Sequence, residues 1–214
     1  MTQETFSQYY AQRAATFDSV YAKPERQADL ARLHSRLGEL LAGHKVLEIA
    51  CGTGYWTATI AKTAASVHAT DVNPAMLEYA QKRTLPNTSF ALADAWELAP
   101  AVGQYTAVFA GFLWSHIRRE EQERFLAQLR AKLGKDVLLV VMDNCYVDGS
   151  STVVARTDAD GNTFQLRTSP TGERFEVLKN FPTDSYLRKK LANATREIRI
   201  ERLPYYWLLT ARLK

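Results

Sequence analysis

Two spacings of apolar residues divide the chain. Up to Leu41 they recur at helical intervals: "FSQYYAQRAATFDSVY" interleaves aromatic and polar positions, and "ERQADLARLHSRLGELL" repeats Leu30, Leu33, Leu37, Leu40 and Leu41 along one face. Gly43 marks the end of the second helix. From Lys45 onward, short apolar runs alternate with helical patterns. Lys45–Ala50 reads as a strand, Tyr55–Ala65 as a helix and Val67–Asp71 as a second strand. "AMLEYAQKR" is a helix begun by an Asn73 cap, with Pro74 at its first position. Ser89–Ala93 and Tyr105–Gly111 are the next strands. The helix "REEQERFLAQLRAKLG" keeps Phe125, Leu126, Leu129 and Leu133 together and stops at Gly134, ahead of the strongest strand, "DVLLVVMD".

Strands that are apolar almost throughout, each followed by a helix, imply a parallel sheet covered on both faces. That pattern spans residues 45–143; beyond it the period shortens to two. Thr163–Arg167 and Arg174–Leu178 flank a Ser-Pro-Thr-Gly turn and read as an antiparallel hairpin. A helix begins near Thr183, and "REIRIERL" and "YYWLLTARL" read as antiparallel strands at one end of the sheet. The expected organisation is one domain over residues 1–214. It comprises a helical cap at 1–43, a core at 45–143, an inserted hairpin segment at 150–180, and a terminal helix with strands at 183–214.

Composition narrows the function classes. A chain of 214 residues, 46% hydrophobic, can bury one substantial core and is short for two typical enzyme domains. No apolar run reaches the ~18 residues of a membrane span, and "MTQETFSQYYAQR" has polar residues where a signal peptide has an apolar centre, so a cytoplasmic protein is expected. Cys51 and Cys145, with His34, His44, His68 and His116, show no ligand spacing, and no metal site is expected. The net charge of +4 leans only modestly toward anionic partners. Its excess between Arg188 and Lys214 reads as the solvated face of a terminal helix and edge strands.

The stretch "VLEIACGTGYWT" poses the chemical question. Gly52 and Gly54 make a small-residue turn after a strand, a place that usually cradles phosphate, yet Glu48 stands beside it. A P-loop needs a lysine at the turn, and none is there. A dinucleotide fingerprint aligned on Gly52-Thr53-Gly54 puts Thr57 where Gly or Ala lets helix and strand pack closely, which weakens a nicotinamide reading and leaves it open. A carboxylate at that strand end repels a pyrophosphate and suits a ligand carrying positive charge.

The order Glu48-Ile49-Ala50-Cys51-Gly52-Thr53-Gly54 resembles the first motif of class I S-adenosylmethionine-dependent methyltransferases, with Ala50 in place of its first glycine. Downstream, Asp71 in "HATDVNPAML" and Asp94 in "SFALADAWEL" end successive strands where that family places its ribose and adenine acids. The resemblance implies a Rossmann-like, doubly wound α/β fold: a seven-stranded mixed sheet with an antiparallel last strand, here with N-terminal helices and an inserted β-hairpin. It implies S-adenosyl-L-methionine as cofactor and S-adenosyl-L-homocysteine as product. Its cofactor-binding residues here would be Glu48, Ala50, Cys51, Gly52, Gly54, Asp71, Val72, Met76, Asp94, Ala95, Trp96, Ala110 and Phe112. Gly111 lies along the same fourth-strand motif, which brings His116 near the transferred methyl.

Displacement at a methyl carbon needs alignment, dryness and, for some acceptors, removal of one proton. His116 is the candidate base, with Tyr10 next; Tyr9, Tyr21 and Trp114 are candidate substrate walls, because aromatic faces attract cations and stack on planar molecules. Cys51 reads as a small filler, since no base pattern points to it. Gly111-Phe112-Leu113-Trp114 stands where adenine N-methyltransferases carry Asn/Asp-Pro-Pro-aromatic, and neither cysteine follows a proline as cytosine C5 enzymes require. A small-molecule acceptor is therefore expected, with nucleic acid disfavoured, no membrane partner, and a monomer or homodimer. The helical N-terminus and the hairpin at 163–178 are the natural covers, and a closing lid, of such a site. A methyltransferase acting on RNA or protein, a nicotinamide-dependent oxidoreductase and a non-catalytic relative of the fold are the alternatives.

Overall fold

The computed structural model describes residues 3–214, with side chains from Ser7 onward; Met1 and Thr2, counted in the expected cap, lie outside the described residues. Strands β1 (Lys45–Ile49), β2 (Ser66–Asp71), β3 (Thr88–Leu92), β4 (Ala107–Gly111) and β5 (Leu138–Asn144) run parallel. With β9 (Thr195–Arg202) and β10 (Tyr206–Leu213) they form a seven-stranded sheet in the order β3-β2-β1-β4-β5-β10-β9. This is the mixed, doubly wound sheet that the sequence predicts. As expected, the last strand of the chain alone runs against the sheet: β10 opposes both β5 and β9.

The strands are short and apolar because both faces are covered. Helices α2 (Gln27–Leu40), α3 (Thr57–Ile60) and α4 (Pro74–Gln81) pack Leu33, Leu37, Ile60 and Leu77 against one face. Helices α5 (Gln122–Leu133) and α6 (Asp184–Leu191) pack Phe125, Leu126, Leu129 and Leu187 on the other. Leu33 and Leu37 are essentially inaccessible, and full burial of each contributes about 1.5–3 kcal/mol. Asn73 caps α4 by accepting from the Ala75 N–H at 3.0 Å, with Pro74 at the first position, an arrangement worth about 1 kcal/mol.

The helix expected over Tyr55–Ala65 shrinks to Thr57–Ile60. Thr57, Thr59 and Thr63 are β-branched and weak helix formers, and the following backbone is drawn into other bonds. Gly43 N–H donates to the Thr63 carbonyl at 2.8 Å, Ala65 N–H donates to the His44 carbonyl at 2.9 Å, and the Asn87 amide donates to the Ala61 and Ala64 carbonyls.

Helix α1 (Gln3–Arg13) is followed by a 3₁₀ helix over Ala14–Tyr21. Strands β6 (Arg156–Thr157), β7 (Thr163–Thr168) and β8 (Arg174–Leu178) form a separate antiparallel sheet that docks on α1 through Tyr9, Phe175 and Val177. The carboxyl ends of β1 and β4 diverge at the point where the strand order reverses, the usual place for a ligand crevice in such sheets. Helix α1 and the small sheet lie over that crevice.

Candidate functional site

A cavity of about 490 Å³ opens at this reversal, within the range of small-molecule sites. Its floor is the glycine turn. Ala50 and Gly52 both line it with left-handed backbone, at φ 56° and 57°, so the chain turns away from the strand axis and leaves peptide edges facing the space. Glycine adopts this conformation freely; Ala50 does so at a cost of about 1–2 kcal/mol. Phe112, at the end of the adjacent β4, is also left-handed, at φ 60°. Backbone strain thus sits on the two strand ends that flank the cavity.

Glu48 projects from β1 onto the same sheet face as its neighbour Phe109 in β4, and both reach the cavity. It is 2% exposed, and its Oε2 lacks a hydrogen-bond partner among the described residues. Burial raises its pKa to about 8; the Thr57 hydroxyl pulls the value part way down, and the charge of Asp71 pushes it up. A buried carboxyl with an orphan oxygen is costly unless something positive meets it.

Asp71, at the end of β2, accepts from the Gly52 N–H and the Asn73 N–H, both at 2.8 Å. It therefore ties the turn to the next helix, and each oxygen keeps a second lone pair for a ligand. Its pKa is nevertheless raised, because burial outweighs those two bonds. Asp94 accepts from the Trp96 N–H at 2.9 Å and lines the cavity with Ala95 and Trp96. Val72 and Met76 complete that end. Cys51 lines the turn, but burial and the charges of Glu48 and Asp71 push its thiol pKa up, which leaves it without thiolate character.

At the other end, helix α1 and a 3₁₀ turn at Trp114–His116 meet. The Tyr10 hydroxyl stands 3.1 Å from His116 Nε2, and His116 Nδ1 stands 2.6 Å from the Leu178 carbonyl. A carbonyl only accepts, so the neutral ring carries its proton on Nδ1 and receives the Tyr10 O–H at Nε2. Burial, with the cations Lys179 and Arg167, lowers the His116 pKa well below its ordinary value. Aromatic rings continue the wall: Tyr10 to Phe17 at 5.9 Å, Phe17 to Tyr21 at 6.4 Å, and Tyr21 to Phe112 at 6.0 Å.

Four of the residues expected at the site do not line this cavity. Gly54 turns toward α4, where an added Cβ would meet Ala80 Cα at 3.2 Å, so it serves packing between turn and helix. Ala110 alternates with Phe109 and Gly111 along β4 and faces Trp114 and Leu126 on the opposite side of the sheet. Trp114, 2% exposed, packs into the α5 side. Tyr9 precedes Tyr10 by one residue, about 100° around α1, and packs on Phe175 at 5.4 Å, with Arg13 donating to its hydroxyl at 2.6 Å. Phe17, Trp56, Phe164 and Leu178 line the cavity without having been expected there. Only Phe17 had a legible signal, falling seven residues after Tyr10 and four before Tyr21 on a helical repeat.

Among the described residues no helix is long and apolar enough to cross a membrane. Residues 46–136 match the family described as methyltransferase domain. Magnesium-protoporphyrin O-methyltransferase of Rhodobacter capsulatus is 31% identical over 111 residues, 50% of this chain and 49% of that protein. Methyltransferase GfsG of Streptomyces halstedii is 29% identical over 174 residues, 78% of this chain and 59% of that one. The chain thus spans about half to three-fifths of the length of these curated relatives. Among solved structures, a DhpI–SAH complex superposes with a TM-score of 0.76 at 26% identity, covering 98% of this chain and 96% of that chain.

Proposed function

We propose that this chain, which belongs to the class I S-adenosylmethionine-dependent methyltransferases, binds S-adenosylmethionine along the turn and strand ends of the cavity and methylates a small molecule held at the Tyr10–His116 end. The observation that carries the reading is the row of acids. Glu48, Asp71 and Asp94 leave β1, β2 and β3 in order and line one cavity, and the first keeps an orphan buried oxygen.

The residues fit that donor. Glu48 and the peptide edges at Ala50 and Gly52 suit its cationic methionine part. Asp71 offers two acceptor oxygens to the ribose hydroxyls, and Asp94, Ala95, Val72 and Met76 suit the adenine. Bound there, S-adenosylmethionine supplies a methyl group already activated by its sulfonium. The protein's tasks are to align the acceptor, exclude water and handle a proton where the acceptor carries one. Such a proton reaches His116 through Tyr10, whose hydroxyl passes its own proton to Nε2 as it takes the acceptor's. The ring Tyr10, Phe17, Tyr21 and Phe112 walls the acceptor from solvent.

Calorimetry with S-adenosylhomocysteine and with NADH tests the donor site: binding of the first and not the second is expected, and binding of NADH alone would overturn the reading. A labelled-donor assay across amine, phenol, thiol and carboxylate acceptors tests the reaction.

A further inference from the structure

His116 is held on both sides by the three residues at the exit of β8. Its Nδ1 donates to the Leu178 carbonyl at 2.6 Å. Two residues on, the Asn180 N–H donates to the Ser115 carbonyl at 2.8 Å, and the Asn180 side-chain amide donates to the Ile117 carbonyl at 3.2 Å. One residue thus holds a main-chain carbonyl before His116 and another after it. Between Leu178 and Asn180, Lys179 reaches Asp143 at 2.8 Å, and Asp143 accepts the Ser115 and Asn144 N–H groups at 2.9 and 2.8 Å.

The side chain of Asn180 suits this position because its amide combines an acceptor with two donor hydrogens on a short stem. It is 2% exposed, and every group is engaged: Oδ1 accepts the Thr163 N–H at 3.0 Å, while Nδ2 donates to the Ile117 carbonyl and to Asn162 Oδ1 at 3.1 Å. The Thr163 hydroxyl takes the Lys179 carbonyl. Pairing between the two strands therefore ends on a side chain, and the Asn180 main chain turns to Ser115. Buried Asn162 extends the hold, accepting the Arg119 N–H at 2.8 Å and donating to Glu120 at 3.0 Å. The same small sheet packs on α1 through Phe175 and Val177, so it carries both the histidine's turn and the helix of Tyr10.

We propose that Asn180 is a positioning residue for the Tyr10–His116 pair: it fixes the turn at Trp114–His116 so that Nδ1 stays on the Leu178 carbonyl and Nε2 faces the Tyr10 hydroxyl. The inference rests on the proton-handling role given to His116 in the methyltransferase reading above. A neutral imidazole has two tautomers, and the bond made by one nitrogen decides what the other can do. Once the ring slips from the Leu178 carbonyl, its proton is shared between Nδ1 and Nε2, and a ring protonated at Nε2 no longer accepts from Tyr10. Asn180 does not line the cavity, so its influence on the acceptor passes through His116.

The test reads the ring directly, by two-bond proton–nitrogen correlation on the full chain labelled with ¹⁵N-histidine and saturated with S-adenosylhomocysteine near neutral pH. His116, assigned by the signals missing from His116→Gln, should show one tautomer with the proton on Nδ1. Asn180→Ala should give averaged nitrogen shifts of a tautomer mixture, with S-adenosylhomocysteine affinity unchanged. An unchanged His116 spectrum in folded Asn180→Ala would overturn the proposal, since a residue that only supports the fold lowers the melting temperature without moving that spectrum. Should Asn180→Ala not fold, Asn180→Asp replaces it, keeping the size and the acceptor for Thr163 while losing the donor to Ile117; the same spectral change is expected. Turnover gives the second reading, on whichever acceptor of the amine, phenol, thiol and carboxylate panel is methylated. Asn180→Ala should lower kcat by about tenfold or more, and the double variant with His116→Gln should lose no more than His116→Gln alone. Additive losses would show that Asn180 does not act through His116. If His116→Gln leaves turnover unchanged, the proton-handling reading falls, and the spectra still decide whether Asn180 fixes the ring. If S-adenosylhomocysteine fails to bind, the donor reading falls, and the same spectra on the ligand-free chain decide it.

Discussion

Tyr10 donates its hydroxyl to His116 Nε2 across 106 residues of sequence, at 3.1 Å, and this bond joins helix α1 to the turn after β4. Tyr10→Phe removes the donor and keeps the ring, so the wall survives while the histidine loses its partner. The expected outcome is lower turnover or a raised acceptor KM with unchanged S-adenosylhomocysteine affinity, and a stability loss of about 1 kcal/mol in urea denaturation. A variant whose cofactor affinity fell while turnover held would move Tyr10 to the donor side.

His116 also sets an acid limit. Its folded pKa lies below the ordinary 6.5, so above that value the ring is neutral in both states and contributes nothing to pH dependence. As pH falls below about 6.5 the unfolded chain takes up the proton first, and stability declines. Melting temperatures between pH 7 and pH 5 should fall less steeply for His116→Gln than for the unaltered protein; parallel curves would show that the ring titrates normally.

Glu48 works in the opposite direction. Its carboxyl is raised from 4.5 to about 8, so the empty site is stabilised fully below about 4.5 and loses that contribution as pH rises toward about 8. A positively charged ligand favours the ionised form. Binding of S-adenosylmethionine near pH 7 should therefore release a proton, seen as a buffer-dependent calorimetric enthalpy, and should tighten as pH rises toward 8. Glu48→Gln should abolish the proton release and weaken binding by about 1–3 kcal/mol. Release of the same proton by the Gln variant would assign it elsewhere.

Ala50 occupies a backbone conformation that favours glycine, with φ 56°. Ala50→Gly removes a penalty of about 1–2 kcal/mol and adds about 0.5–1 kcal/mol of chain entropy cost, for a net gain of roughly 0.5–1 kcal/mol. Ala50→Val, β-branched at the same φ, should lose stability. Urea midpoints check both, and a destabilised glycine variant would mean that the Ala50 methyl packs usefully.

The Lys179–Asp143 pair is buried on both sides, with side-chain exposures of 5% and 0%. Asp143→Asn leaves an uncompensated ammonium and should cost about 3–5 kcal/mol, whereas Asp143→Asn combined with Lys179→Met should recover much of it. Equal losses for the single and double variants would place the cost in the Ser115 and Asn144 backbone bonds instead.

The alternation of apolar strands with helices is local information, and it was enough for β1, β2, β4 and β5, for the Asn73 cap and for the row of acids at Glu48, Asp71 and Asp94. Each of those depends on periodicity, on turn chemistry or on a charge placed in an apolar run. The extent of α3 did not follow, because backbone groups of Gly43, His44 and Asn87's side chain compete for its carbonyls and amides from other parts of the chain. Neither did the facing of Tyr9, Gly54, Ala110 and Trp114, each of which packs away from the cavity. The same holds for the meeting of Tyr10 with His116. A sequence states which side chains can be buried and which backbone turns are possible. Which of two neighbouring aromatic residues faces the cavity is decided when β8 docks on α1, since only docking sets the distances over which packing and hydrogen bonding act.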